Sequence, residues 1–169
     1  MADVYLLDTN IVSYYENSRS SGHGMAKEFL DSLEHDDVIA ISVITLAEIE
    51  CGLLTAPKMD VAQLTDVRSA MARFTLVRDI TRHTVEHYAK LRAELFINNS
   101  PRYIRGRLTA KYIEDLREPS TERQLHIKET DLWIAAQSLE WNCILVTNDA
   151  MRPITSLKVD PPIRFLALK

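Results

Sequence analysis

The 169-residue chain has only two cysteines, Cys51 and Cys143, and their wide separation excludes the CxxC spacings of zinc and redox motifs. Both are expected to be small buried residues of a reduced compartment. Only four glycines occur, and none builds the GxGxxG or GxxxxGKS/T pattern that cradles phosphates, so a nucleotide cofactor has no evident seat. No apolar run approaches the ~18 residues that a membrane span requires. The first residues carry neither a basic n-region nor a long apolar h-region, so the expectation is a cytoplasmic protein with no membrane partner. Excess positive charge is also missing: 20 Lys and Arg face 24 Asp and Glu, a formal net charge of -4. Binding nucleic acid through overall charge is thereby excluded, and such a partner would need a local basic patch.

What is present fits one globular domain over residues 1–169, with 46% hydrophobic and 26% charged residues. Short apolar runs at 4–7, 38–42 and 143–147 suit buried strands, with a fourth at 163–168. Between them lie stretches of helical spacing at 26–33, 44–54, 61–74, 84–96 and 131–141. Strands alternating with helices imply an α/β architecture: a mostly parallel central sheet of four or five strands, flanked by helices. In such sheets ligands gather at the carboxyl ends of the strands.

The segment from Ser100 to Gln124 carries Arg102, Arg105, Arg107, Lys111, Arg117 and Arg123. It also places Tyr103, Ile104, Leu108, Tyr112, Ile113 and Leu116 at near-helical intervals, so an amphipathic basic helix bounded by Pro101 and Pro119 is expected.

Acidic residues fall at those strand ends. VYLLDTN closes one strand with Asp8, and CILVTND closes another with Asp149. Either alone reads equally well as a helix N-cap. In KETDLWIAAQS, Thr130 can cap a helix with Asp131 in its first turn, where an acid also favours the helix dipole, and Ala135 and Ser138 follow on the same face. A fourth acid stands in ISVITLAEIECGL, where periodicity leaves the choice between Glu48 and Glu50 open.

LLDTNIV, ISVITLAEIECG, TDLWIAAQS and ILVTND, in this order and at these intervals, resemble the four acidic motifs of PIN-domain ribonucleases, especially the VapC-type toxins of toxin–antitoxin pairs. The resemblance runs from Tyr5 to Asp149 and implies a PIN-like fold. It assigns Asp8, Glu48, Asp131 and Asp149 as the catalytic quartet, favouring Glu48 over Glu50, with Thr9, Asn10 and Thr147 as supporting polar residues. The aromatic that often follows the last acid is missing, and Met151 or Ile154 is expected to fill its place.

Clustered carboxylates repel one another and take up protons unless a cation balances them. Mg²⁺, or Mn²⁺, suits such oxygen donors, with Asp8, Asp131 and Asp149 as metal ligands. The metal lowers the pKa of a bound water for attack on phosphorus, and Glu48 would bind a second ion or orient that water. The resemblance further implies an RNA substrate, commonly a tRNA or rRNA, a homodimer, and a cognate antitoxin whose segment occupies the active-site groove. The alternative is a catalytically silent PIN scaffold that binds RNA or protein. Arg102, Arg105, Arg107 and Lys111 are candidate RNA contacts, with Tyr103 and Tyr112 available for stacking.

Two other motifs give way. HTVEH matches an inverted zinc-peptidase pattern through His83, Glu86 and His87, but Val85, Tyr88, Leu91 and Leu95 would define the core face and leave those three in water. A haloacid-dehalogenase phosphatase would place a second aspartate where Asn10 stands.

Overall fold

All four runs expected as strands form strands, and a fifth, Leu76–Arg78, joins them. The computed structural model describes residues 3–56, 61–99, 103–104, 107–108, 110–149 and 151–169. In chain order the elements are β1 (Val4–Leu7), α1 (Thr9–Glu16), α2 (His23–Asp31), β2 (Val38–Ser42), α3 (Val43–Thr55), α4 (Val61–Met71), β3 (Leu76–Arg78), α5 (Arg82–Asn99), β4 (Tyr103–Ile104), β5 (Arg107–Leu108), a 3₁₀ turn at Ile113–Asp115, α6 (Glu129–Glu140), β6 (Ile144–Thr147), α7 (Arg152–Thr155) and β7 (Arg164–Ala167). They fall into two compact units, the first comprising residues 1–79, 142–150 and 164–169, and the second 80–141 and 151–163.

The first unit holds a five-stranded sheet of order β3-β2-β1-β6-β7, and every pairing in it is parallel. Leu7 sits opposite Ile41 on one side and Val146 on the other. The chain therefore leaves β1 toward β2 and β3, then returns to place β6 and β7 on the opposite side. Such a reversal opens a crevice at the carboxyl ends of the strands that flank it, here β1 and β6. Burial puts β1 at the centre, since Leu6 and Leu7 are both fully buried. Each such leucine contributes about 1.5–3 kcal/mol relative to an exposed one.

Helices cover this sheet through short apolar sets. Leu7, Ile11, Val12, Ala26, Ile41 and Val146 form one buried cluster that joins α1 and α2 to β1, β2 and β6. Tyr5 and Phe29 meet edge to face at 5.6 Å against the same cluster. Gly22 lets α1 and α2 approach closely, because a Cβ there would lie 2.5 Å from the Tyr14 ring.

In the second unit α5 packs on α6 and the pair is tied at both ends. Thr81 donates to Glu140 at 2.5 Å, and Thr84 donates to the other oxygen of the same carboxylate. Toward the other end Tyr88 donates to Glu129, as does Arg92 Nε at 3.3 Å. Along the two helices Leu91, Leu95, Leu132, Ala135 and Ala136 are buried. The expected core face of α5 needs one correction: Val85 is 47% exposed, and Thr84 points inward instead.

Where residues of the span 100–124 are described, they form other structure than the expected basic helix, and residues 100–102, 105–106 and 109 lie outside the described residues. β4 and β5 pair antiparallel, with Tyr103 opposite Leu108 and Ile104 opposite Arg107. A 3₁₀ turn follows at Ile113–Asp115, and Arg117 bridges to Gln124. Four of the six apolar residues at helical spacing, Tyr103, Ile104, Tyr112 and Ile113, are aromatic or β-branched and also suit strands, and Gly106 lowers helix propensity by about 1 kcal/mol relative to alanine. Among the described residues no helix is long and apolar enough to cross a membrane.

Candidate active site

Asp8 follows the last residue of β1 directly, and its backbone N–H donates to Val146 O at 2.9 Å, so β6 holds it from the side. Asp8 as a residue is only 3% exposed. Oδ1 accepts from Thr9 N at 2.7 Å and caps α1. Oδ2 accepts from Thr147 Oγ1 at 2.7 Å. Asp8 therefore caps α1 with one oxygen and holds the other against Thr147 at the end of β6.

Thr147 ends β6, and its Oγ1 also accepts from Asp149 N at 3.0 Å, which fixes the backbone that presents Asp149. Asp149 itself is exposed, so its carboxylate is open to solvent. Neighbouring Asn148 donates to Tyr14 OH at 3.2 Å on α1.

Glu48 reaches the same end of the sheet from α3. Ser42 caps that helix, accepting from Ile44 N at 2.9 Å. Glu48 Oε2 then accepts from Thr9 Oγ1 at 2.5 Å, and Thr9 also meets Thr45 Oγ1 at 3.2 Å. Glu50 lies elsewhere: both its oxygens bind the Arg68 guanidinium, with Nε at 3.1 Å, on an exposed face. That pair holds the Glu50 carboxyl below its ordinary value. Thr45 is a polar residue that motif reading passed over. Its i, i+3 relation to Glu48 on a helix was the available signal.

Burial is the largest influence on Asp8 and pushes its carboxyl above the ordinary aspartate value. Hydrogen bonds from Thr147 and Thr9 oppose this, while the charges of Glu48 and Asp149 push it further up. A buried carboxylate beside two others favours proton uptake or a bound cation. Among the described residues no three His, Cys, Asp or Glu side chains converge into a ready-made cage. The donor set still suits Mg²⁺, which takes one or two carboxylates and keeps several waters.

Asp131 belongs to the second unit. It is the third residue of α6, half-buried, and its Oδ2 accepts from Lys128 N at 2.8 Å. The helix thus starts before Thr130, so Asp131 completes the cap that Thr130 was expected to supply. Ala135 and Ser138 below it are buried.

The other expected residues have these places. Asn10 is exposed on the first turn of α1. Lys111 is exposed, with its ammonium 5.1 Å from the Tyr112 ring centre. Arg102 and Arg105 lie outside the described residues, and of Arg107 and Tyr103 only the strand backbone is described. Met151 and Ile154 are both buried. Cys143 is buried as expected, whereas Cys51 is exposed on α3. His83 and Glu86 of the HTVEH motif stand 3.9 Å apart with exposed side chains, whereas His87 is half-buried.

The parallel sheet with acids after β1 and β6 and a third in the second turn of α3 defines a class of α/β protein, and sequence comparison gives its family. The PIN domain family matches residues 5–152. The chain belongs to the PIN-domain family, in agreement with the motifs.

Solved structures share the fold. A VapBC complex from Rickettsia felis, bound to a DNA fragment from its promoter, is 23% identical, with a TM-score of 0.61 over 98% of this chain and 99% of that one. VapBC-1 from nontypeable Haemophilus influenzae is 21% identical, with a TM-score of 0.60 over 97% of each chain. A sarcin-ricin-loop-cleaving VapC toxin of Mycobacterium tuberculosis is 15% identical, with a TM-score of 0.51 over 82% of this chain and 84% of that one. No curated protein sequence matches.

Proposed function

We propose that this protein is a divalent-metal-dependent endoribonuclease and the toxin of a type II toxin–antitoxin pair. The observation that carries the reading is Asp8: a carboxylate buried at the carboxyl end of the central strand, its pKa raised first by that burial and further by the charges of Glu48 and Asp149. Family membership supports it, as does the fold shared with VapC toxins, one of which is described as cleaving the sarcin-ricin loop.

Asp8 and Asp149 are assigned as the main metal ligands. Asp131 joins them, directly or through water, on the strength of its motif. Bound there, Mg²⁺ or Mn²⁺ would polarise a phosphate oxygen and activate a water for attack on phosphorus. Thr147 holds Asp8 and the Asp149 backbone in register, and Thr9 orients Glu48 toward the attacking water or a second ion. Hydrolysis that expels the 3′ oxygen leaves a 3′ hydroxyl and a 5′ phosphate.

Phosphate contacts are assigned to the basic residues Arg102, Arg105, Arg107 and Lys111, which supply locally what a net charge of -4 lacks. An antitoxin segment is assigned to the groove of about 600 Å³ beside Glu48, whose walls include Val12, Ile49, Leu53 and Met71. Its apolar walls and acidic end suit a peptide that brings apolar side chains and one basic group. A homodimer and a cytoplasmic site of action complete the reading.

Sequencing of RNA 5′ ends after induced expression tests it. The active protein should create new 5′-phosphate ends at discrete positions in a tRNA or rRNA that Asp8→Asn does not create. Identical end profiles for the two proteins would overturn the nuclease reading in favour of a silent binding scaffold.

A further inference from the structure

Asp131 is the only assigned acid that sits in the first turn of a helix, where backbone groups lack intrahelical partners and the chain frays most readily. Its own capping bond to Lys128 N fastens one carboxylate oxygen to the backbone of that turn, but not the turn to the rest of the molecule. Glu129, which begins the helix, supplies the fastening. Its Oε1 accepts from Tyr88 OH and from Arg92 Nε, two residues one turn apart on α5. Both donors are themselves held. The Tyr88 ring stacks on Trp133 of α6, with centroids 3.8 Å apart and planes 7° from parallel. The Arg92 guanidinium lies over the Phe96 ring at 4.5 Å.

We propose that Tyr88, Arg92 and Glu129 form a clamp that positions Asp131 for metal binding. Glu129 and Tyr88 are positioning residues: they touch neither metal nor RNA and act through the register of the first turn of α6. This inference rests on the reading of Asp131 as a metal ligand. The clamp is built for orientation rather than stability alone, because α5 and α6 already bury Leu91, Leu95, Leu132 and Ala135 and are tied at the other end through Glu140. A shift of about 1 Å in a reacting or ligating group costs up to ~100-fold in rate. Residues that orient metal ligands typically change metal affinity by ~10–100-fold when removed.

The test is calorimetric titration of the folded full-length protein with Mn²⁺, beside the Mg²⁺ concentration that half-saturates RNA cleavage. Glu129→Ala should weaken Mn²⁺ binding about tenfold and raise the half-saturating Mg²⁺ concentration in parallel, so that excess Mg²⁺ recovers much of the rate. Glu129→Gln, which retains an oxygen acceptor for Tyr88, should fall between that variant and the parent. Tyr88→Phe, which keeps the ring stacked on Trp133 and loses only the hydroxyl, should also weaken Mn²⁺ binding, and it serves if Glu129→Ala does not fold. A merely structural clamp would lower the melting temperature and leave both metal readings unchanged, and that result overturns the proposal. Asp131→Asn is measured alongside. If it weakens Mn²⁺ binding while Glu129→Ala and Tyr88→Phe do not, the clamp alone fails. If Asp131→Asn itself leaves Mn²⁺ binding unchanged, the ligand reading of Asp131 fails and the clamp with it.

Discussion

Thr147 donates its hydroxyl hydrogen to Asp8 Oδ2 at 2.7 Å, joining residues 139 apart in sequence at the adjacent ends of β6 and β1. Thr147 Oγ1 also accepts from Asp149 N at 3.0 Å, so one threonine sets the positions of two acids. Thr147→Val removes both bonds and leaves a buried carboxylate oxygen without its donor. The expected cost is ~1–3 kcal/mol of stability, with cleavage reduced by ~10–100-fold. Urea unfolding and initial cleavage rates measure the two effects. Thr147→Ser keeps the hydroxyl and should retain most of both, so equal damage from the serine and valine variants would contradict the role given to the hydroxyl.

Glu48 and Glu50 stand two residues apart and have opposite surroundings. Glu48 binds Thr9 beside Asp8, while Glu50 pairs with Arg68 on an exposed face. Glu48→Gln should lower cleavage by at least tenfold, on the order of a lost catalytic carboxylate. Glu50→Gln should leave the rate unchanged, since exposed ion pairs contribute little. Cleavage assays of the two variants side by side check this, and a larger loss for Glu50→Gln would reverse the assignment.

Glu16 ends α1 with Oε1 buried and without a hydrogen-bond partner. Burial raises its carboxyl pKa, only partly offset by the charges of Arg73 and His23. With the folded pKa above the unfolded one, its contribution to stability is fully present below the unfolded pKa and is lost as pH rises through the folded pKa. Glu16→Gln has no such loss. The melting temperature of Glu16→Gln minus that of the parent should therefore increase from about pH 4 toward neutrality. A difference that is flat or falls with pH would show that the folded-state pKa is not raised.

Leu7 is fully buried in β1, between β2 and β6, and belongs to the apolar cluster beneath Asp8. Leu7→Ala should cost ~2–5 kcal/mol, read as a lower urea midpoint. A cost below ~1 kcal/mol would mean that the cavity closes over and that β1 is not the packed centre of the sheet.

Asp8 and Asp149 of the candidate site were legible because each follows an apolar run, and a parallel sheet turns such endings into a shared edge. β1, β2 and β6 follow from continuous apolar residues, whereas β3 is a three-residue strand whose LVR carries too little pattern to separate it from a loop. α1 escaped notice because only Ile11 and Val12 of its eight residues are buried. The choice of Glu48 over Glu50 depends on Thr9 and Arg68, which are distant in sequence and which helical periodicity cannot see. Between 103 and 116 the apolar spacing is compatible with a helix, yet paired strands and a 3₁₀ turn form, because aromatic and β-branched residues serve either state and Gly106 weakens the helix. Cys51 lies on a helix face whose exposure depends on what packs across it, which composition does not encode.

The central claim, that the acids around Asp8 bind a divalent metal and hydrolyse RNA, is tested most directly by incubating purified protein with a structured RNA in Mg²⁺ or Mn²⁺. The account predicts discrete fragments with 5′ phosphates from the parent protein, none in EDTA, and none from Asp8→Asn even though that variant remains folded. Cleavage that persists unchanged in EDTA or in Asp8→Asn would contradict it.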